Sequence, residues 1–158
     1  MFEHFFRTET ILPATREAIF PFFADAGNLM RLTPPSLDFK ILTPTPISME
    51  AGALIDYRIK LHGFPMRWRT RITLWNPPYE FADEQLKGPY RVWFHRHTFE
   101  DRGDGTTLMR DEVRYALPLP PFGEVGLPWV RAEIAGIFAY REKAILEIFP
   151  GTLPPKVA

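Results

Sequence analysis

Apolar and polar residues alternate with a period of two through most of the middle of the chain. In residues 53–61, Ile55, Tyr57, Ile59 and Leu61 face one way and Asp56, Arg58 and Lys60 the other. In 64–75, Met66, Trp68, Thr70, Ile72 and Leu74 alternate with Arg67, Arg69, Arg71 and Thr73. A period of two places alternate side chains on opposite faces of a half-buried strand. Similar strands are predicted over 2–12, 37–43, 79–87, 90–100 and 106–117. Turn residues punctuate them: His62-Gly63, Asn76-Pro77-Pro78, Gly88-Pro89 and Arg102-Gly103-Asp104-Gly105.

The period changes at two places. Thr15 is a good N-cap for a short helix over 16–24, which carries Ile19, Phe20, Phe22 and Phe23 and which Pro21 should kink or shorten. Asp25 can cap a second short helix that runs to about Leu32, before Pro34-Pro35. After the proline-rich loop 118–128, the apolar residues Val130, Ile134, Ile137, Phe138, Ile145 and Ile148 recur at helical spacing up to Pro150-Gly151. At ~1.5 Å per residue, such a helix is roughly 30 Å long and can cross a whole domain. The predicted order is strand, two short helices, six strands and one long helix. Short turns between consecutive strands predict an antiparallel meander, which must cover one face with that helix. This is an α+β fold of about seven strands. Residues 1–150 are expected to form one domain and 151–158 a short tail. A sheet curled around one helix fills unevenly, so a pocket is expected at the wider end.

Composition narrows the function. Nineteen Lys and Arg balance nineteen Asp and Glu, giving zero formal net charge. A general nucleic-acid binder needs a basic surface, so none is expected. The row Arg67, Arg69 and Arg71 reads as a solvated outer face, with Asp56 and Glu112 as suitable partners. No apolar stretch is long enough to span a bilayer, and the start Met1-Phe2-Glu3-His4-Phe5 lacks the pattern of a signal peptide. A cytoplasmic protein without stable membrane insertion is expected. The chain has no cysteine, which excludes disulfides and thiolate chemistry.

Chemistry concentrates on two strands. Trp93, His95, His97 and Phe99 share one face of 90–100, and Met109, Asp111, Val113 and Tyr115 share one face of 106–117. These strands should pair as a hairpin, which brings Asp111 near His95 or His97. Phe81, Asp83 and Gln85 share a face of 79–87. Such a cluster is open to several uses. A His oriented by an Asp can move a proton. A His-x-His pair can hold a metal, although no third ligand is evident, and neither metal nor cofactor is expected. The groups can also form a buried network, orient the polar end of a ligand, or, for Asp111, pair with Arg110 or Arg114. Gly136 inside the helix can permit a kink or a close approach.

The segments Asp25-Ala26-Gly27-Asn28-Leu29, Leu32-Thr33-Pro34-Pro35 and Asp83 to Tyr90 resemble the START/Bet v1-like (SRPBCC) superfamily. So do Trp93 to Phe99 and Thr106 to Val113, and nearly the whole chain shares the element order. The similarity is to a bacterial ligand-binding branch related to polyketide aromatase/cyclases. It implies a helix-grip fold and a hydrophobic small-molecule ligand, bound by a carrier or sensor. The alternative it implies is a cyclase/dehydratase-like enzyme that uses the His/Asp cluster. The lining expected for such a cavity is Tyr57, Trp68, Phe81, Trp93, His95 and His97, with Asp111, Tyr115, Ile134 and Phe138.

Overall fold

The computed structural model describes residues 2–151. Seven antiparallel strands form one sheet in the order β1-β7-β6-β5-β4-β3-β2. They are β1 (His4–Leu12), β2 (Lys40–Ile41), β3 (Leu54–Leu61), β4 (Phe64–Asn76), β5 (Glu80–Lys87), β6 (Val92–Asp101) and β7 (Thr107–Ala116). From β2 to β7 every strand pairs with the next in sequence, and β1 closes the sheet against β7. This is the predicted meander. Helix α1 (Arg16–Ala24) is capped by Thr15, whose hydroxyl accepts from the Ala18 N–H. The next element, capped by Asp25, is a 3-10 helix over Ala26–Leu32. The long helix α2 (Leu127–Ile148) buries Ile134, Phe138 and Ile145 as the spacing requires, and Arg141 with them. The result is the expected helix-grip fold. The predicted tail beyond Gly151 lies outside the described residues.

The turn at His62-Gly63 is a two-residue hairpin in which both residues take positive φ, 50° and 80°. That geometry matches the twist of the flanking strands. Strand β4 pairs irregularly with β5. Its register against β5 shifts between Arg69 and Thr70 and again between Ile72 and Leu74. Each bulge bends the strand and increases its twist, which lets the sheet wrap a helix. The second shift corrects the simple alternation. Ile72 is 2% exposed and Leu74 is 38% exposed, so they do not share a face. Past the bulge Trp75 takes the inner side, packing on Phe20 and Phe81 with ring centroids 5.3 and 5.6 Å away.

Other expectations change on similar grounds. The strand predicted over 37–43 shrinks to Lys40–Ile41, because Pro35–Leu37 forms a 3-10 turn and Asp38 takes a left-handed φ of 42°. Arg69 pairs with Asp56 at 2.8 Å and Arg71 pairs with Glu84, on the outer face as expected. Glu112 sits too far across the sheet to join them and faces Arg7 at 3.4 Å. Gly136 is exposed, and no atom outside its own helix lies within 4 Å of where a Cβ would stand. It therefore serves no close approach.

The core has two ends. Leu12, Ile19, Phe20, Phe23, Phe99, Met109 and Ile145 fill one end solidly beneath α1. The other end is divided between a cluster around Val113, Tyr115, Ile134 and Phe138 and another around Phe39, Ile59 and Trp68. Space remains between them.

Candidate functional site

That space is a cavity of about 210 Å³. A single water needs roughly 10–15 Å³ of such volume, so the void is far larger than a packing defect. Aliphatic residues from β3 and β4 (Ile55, Ile59, Ile72) form its floor. The 3-10 segment contributes Leu29 and Leu32, and Phe39 lies beside them. An aromatic wall runs along it. Trp68 stacks on Tyr57 at 5.8 Å, and meets Trp93 and Tyr90 edge-on at 5.6 and 5.9 Å. Helix α2 supplies Ile134, Ile137, Phe138 and Arg141 as a roof.

Tyr57, Trp68, Phe81, Trp93, His95 and His97 stand on this lining from the sheet side, and Ile134 and Phe138 from α2. Asp111 and Tyr115 do not. Both are 1% exposed and point to the inner face, but they are covered before they reach the void. Tyr115 packs 5.4 Å from the His4 ring, in the cluster beneath Phe138. Asp111 lies behind the two histidines.

At this end of the cavity the strand register builds an ionic cluster. His97 is directly opposite Asp111 on β7 and opposite Phe81 on β5, and His95 is opposite Asp83. Asp111 Oδ1 accepts from His95 Nε2 at 2.8 Å and lies 3.0 Å from His97 Nδ1. The Arg141 guanidinium approaches the same oxygen at 3.5 Å. His97 Nε2 lies 3.1 Å from Asp83 Oδ2. Asp111 therefore pairs inward, and Arg110 and Arg114 find outer-face partners in Glu9 and Glu3.

These contacts split the two imidazoles. Burial lowers the His95 pKa to about 4, with the neighbouring His97 adding to the effect. His95 is thus neutral at pH 7. Its Nε2–H donates to Asp111, which leaves the lone pair on Nδ1. Burial acts against charge on His97 too, but hydrogen bonds to Asp111 and Asp83 outweigh it and raise that pKa. Burial also opposes charge on Asp111, yet Arg141 and the two histidines hold its carboxyl well below the ordinary value. Two adjacent groups with opposite shifts are the pattern from which acid–base pairs are made, although structural networks show it as well.

Asp83, His95 and His97 also offer ligand atoms within 4.8 Å of one another. The structure thus supplies the third group that the sequence left undefined. The fit to an ion is poor. The two rings are crowded together, tilted by 31° with centroids 3.7 Å apart. Three of the ring nitrogens already face carboxylates, and the guanidinium of Arg141 stands alongside.

Sequence reasoning did not single out Arg141. Its place could have been found at positions 134, 138, 141 and 145, where a charged residue falls on the buried helical stripe. Tyr90 was also missed as lining. It is held in place by Gln85, whose side chain donates to the Tyr90 carbonyl and accepts from its N–H.

Among solved structures, this fold is similar to the ZhuI aromatase/cyclase from Streptomyces sp. R1128. That match has a TM-score of 0.76 at 12% identity and covers 93% of each chain. A START superfamily protein from Mycobacterium smegmatis matches with a TM-score of 0.70 at 15% identity, over 92% of this chain and 97% of that one. A nucleoside-diphosphate sugar epimerase from Corynebacterium glutamicum matches with a TM-score of 0.65 at 26% identity. It aligns with 90% of this chain but only 28% of its own, so the likeness is to one portion of a longer enzyme. No curated protein sequence matches. The sequence model described as polyketide cyclase / dehydrase and lipid transport matches residues 12–134. With most of the chain matched and the helix-grip fold in place, the chain belongs to the polyketide cyclase/dehydrase and lipid transport family of the START/Bet v1-like superfamily.

Proposed function

We propose that this chain is a cytoplasmic carrier or sensor that holds a hydrophobic small molecule, lipid-like or aromatic, in its cavity. The observation that carries this reading is the cavity itself. Trp68, Trp93, Tyr57 and Tyr90 form one wall, and His95, His97, Asp83 and Arg141 gather as a polar cluster on the lining. Such a site suits a largely apolar body with one polar feature. The test is native mass spectrometry of the protein from its own host. One bound molecule per chain, released on denaturation, is expected. A bare chain under native conditions counts against the reading.

One observation favours a second reading. A neutral His95 with a free Nδ1 stands beside a His97 that favours its charged form, and both face the cavity. In a cyclase/dehydratase-like enzyme, His95 would act as base and His97 as acid, with Asp111 orienting both. The two readings separate at His97→Ala. Loss of turnover with nearly unchanged ligand affinity identifies an enzyme. Absence of any turnover across aromatic polyketide-like substrates favours the carrier.

A further inference from the structure

The proposed binding role leaves the ligand's polar end undefined, and one cavity side chain has donors to spare. Arg141 is buried and lines the cavity. A guanidinium presents five N–H donors in a fixed fork. Its contacts here run through Nη2, 3.5 Å from Asp111 Oδ1 and 3.3 Å from His97 Nδ1. The first is long, since charge-assisted bonds of this kind measure about 2.7–2.9 Å. The second sets donor against donor whenever His97 carries both its protons. Nε of Arg141 has no partner among the described residues but is itself covered, whereas Nη1 makes no hydrogen bond among them and the side chain keeps 8% of its surface accessible. A guanidinium edge with donors to spare on a cavity lining points to an oxygen acceptor on the ligand.

The surrounding charge narrows what that acceptor is. Asp25, Asp83 and Glu133 line the cavity, and Asp111 lies just behind the histidines. Asp25 is exposed and accepts from the Gly27 N–H, so the carboxylates that count inside are Asp83, Asp111 and Glu133, the last of which faces the half-exposed His62 at 3.2 Å. Against these carboxylates stand Arg141 and the His97 imidazole, since His95 is neutral. A carboxylate ligand would add a further anion to this surplus in a low-dielectric space. A neutral carbonyl can use the spare donors without that penalty.

We propose that Arg141 determines specificity, by donating to the carbonyl oxygen of an uncharged ligand in a cavity whose carboxylates exclude anionic analogues. This rests on the binding role proposed above. The test uses three ligands with one ring body: 2-acetylnaphthalene, 2-ethylnaphthalene and 2-naphthoate. Each displaces the neutral dye N-phenyl-1-naphthylamine at pH 7.5 from the wild type and from Arg141→Lys. The ketone should bind roughly ten- to a hundredfold tighter than the ethyl compound, as expected for a hydrogen bond to a charged donor. The carboxylate should bind weakest. Arg141→Lys keeps a cation opposite Asp111 but loses the fork, so the ketone's advantage should shrink to about threefold or less. Equal affinity of ketone and ethyl compound, or a carboxylate that matches the ketone, overturns the proposal. If Arg141→Lys does not fold, the wild-type ranking alone decides. Failure of the dye itself to bind overturns the cavity reading, and this inference with it.

Discussion

Asp111→Ala is expected to lower the unfolding free energy by about 3–5 kcal/mol, the cost typical of breaking a buried ion pair from one side. The reason is geometric. One carboxylate oxygen faces His95, His97 and Arg141 at once, from a residue 1% exposed. Removing it leaves a buried guanidinium without its anion and leaves the His97 ring with Asp83 alone. Domains of this size are stable by only about 5–15 kcal/mol, so the loss is a large fraction of the total. Thermal or urea unfolding reads it directly. The paired change Asp111→Leu with Arg141→Met should recover most of the loss, because an apolar replacement of a whole buried pair is often neutral or better. A cost below about 1 kcal/mol for Asp111→Ala would show that the cluster is not ionised as described.

Acid should destabilise the fold well above the range in which carboxylates protonate. His95 has a native pKa of about 4 against an ordinary 6.5, chiefly through burial. Between these values the unfolded chain takes up a proton that the native imidazole refuses. Stability therefore falls as pH drops from about 6.5 to about 4, by about 3 kcal/mol in all from this group. His97 has the opposite sign, since its hydrogen bonds to Asp111 and Asp83 raise its native pKa. Its contribution is complete below pH 6.5 and is lost as pH rises through the raised value. Together they place maximum stability near pH 6.5, with a steep acid limb. Asp111, held low, stabilises fully above the ordinary carboxylate value of 3.8 and loses that contribution only as pH falls below it. His95→Gln keeps a donor toward Asp111 but cannot take up a proton. In urea melts from pH 4 to 8, this variant should lose most of the acid limb. An unchanged limb would assign it to other groups.

Much of this could be read from the residues, because period-two alternation is imposed by the strand itself. His95, His97, Asp111 and Trp68 all fall on the inner face for that reason. The turn at His62-Gly63 sets the β3–β4 hairpin, and the turn at Asp104-Gly105 brings β6 against β7. Alternation carries no information about bulges, so it put Leu74 inside and overlooked Trp75. It also cannot say which inner residues reach the void. Asp111 and Tyr115 were expected in the lining, yet the side chains of β6 and α2 cover them. Arg141 escaped because a helical stripe is searched for apolar residues, and a cation in it is recognised only when its buried partner is known. Asp83, the third group beside the His pair, depended on the register between β5 and β6, which only the folded sheet fixes.

The account stands most directly on the void between Trp68, Trp93 and α2 being a binding site. The deciding measurement is a titration of N-phenyl-1-naphthylamine against the wild type, Ile59→Trp and Leu74→Trp. Ile59 is buried on the cavity floor, whereas Leu74 projects outward from the same sheet. The account predicts saturable uptake of one dye per chain by the wild type and by Leu74→Trp. Ile59→Trp should bind at least about tenfold more weakly, and should remain folded at an overpacking cost of about 1–3 kcal/mol. Absence of uptake by the wild type, or uptake unaffected by Ile59→Trp, would contradict it.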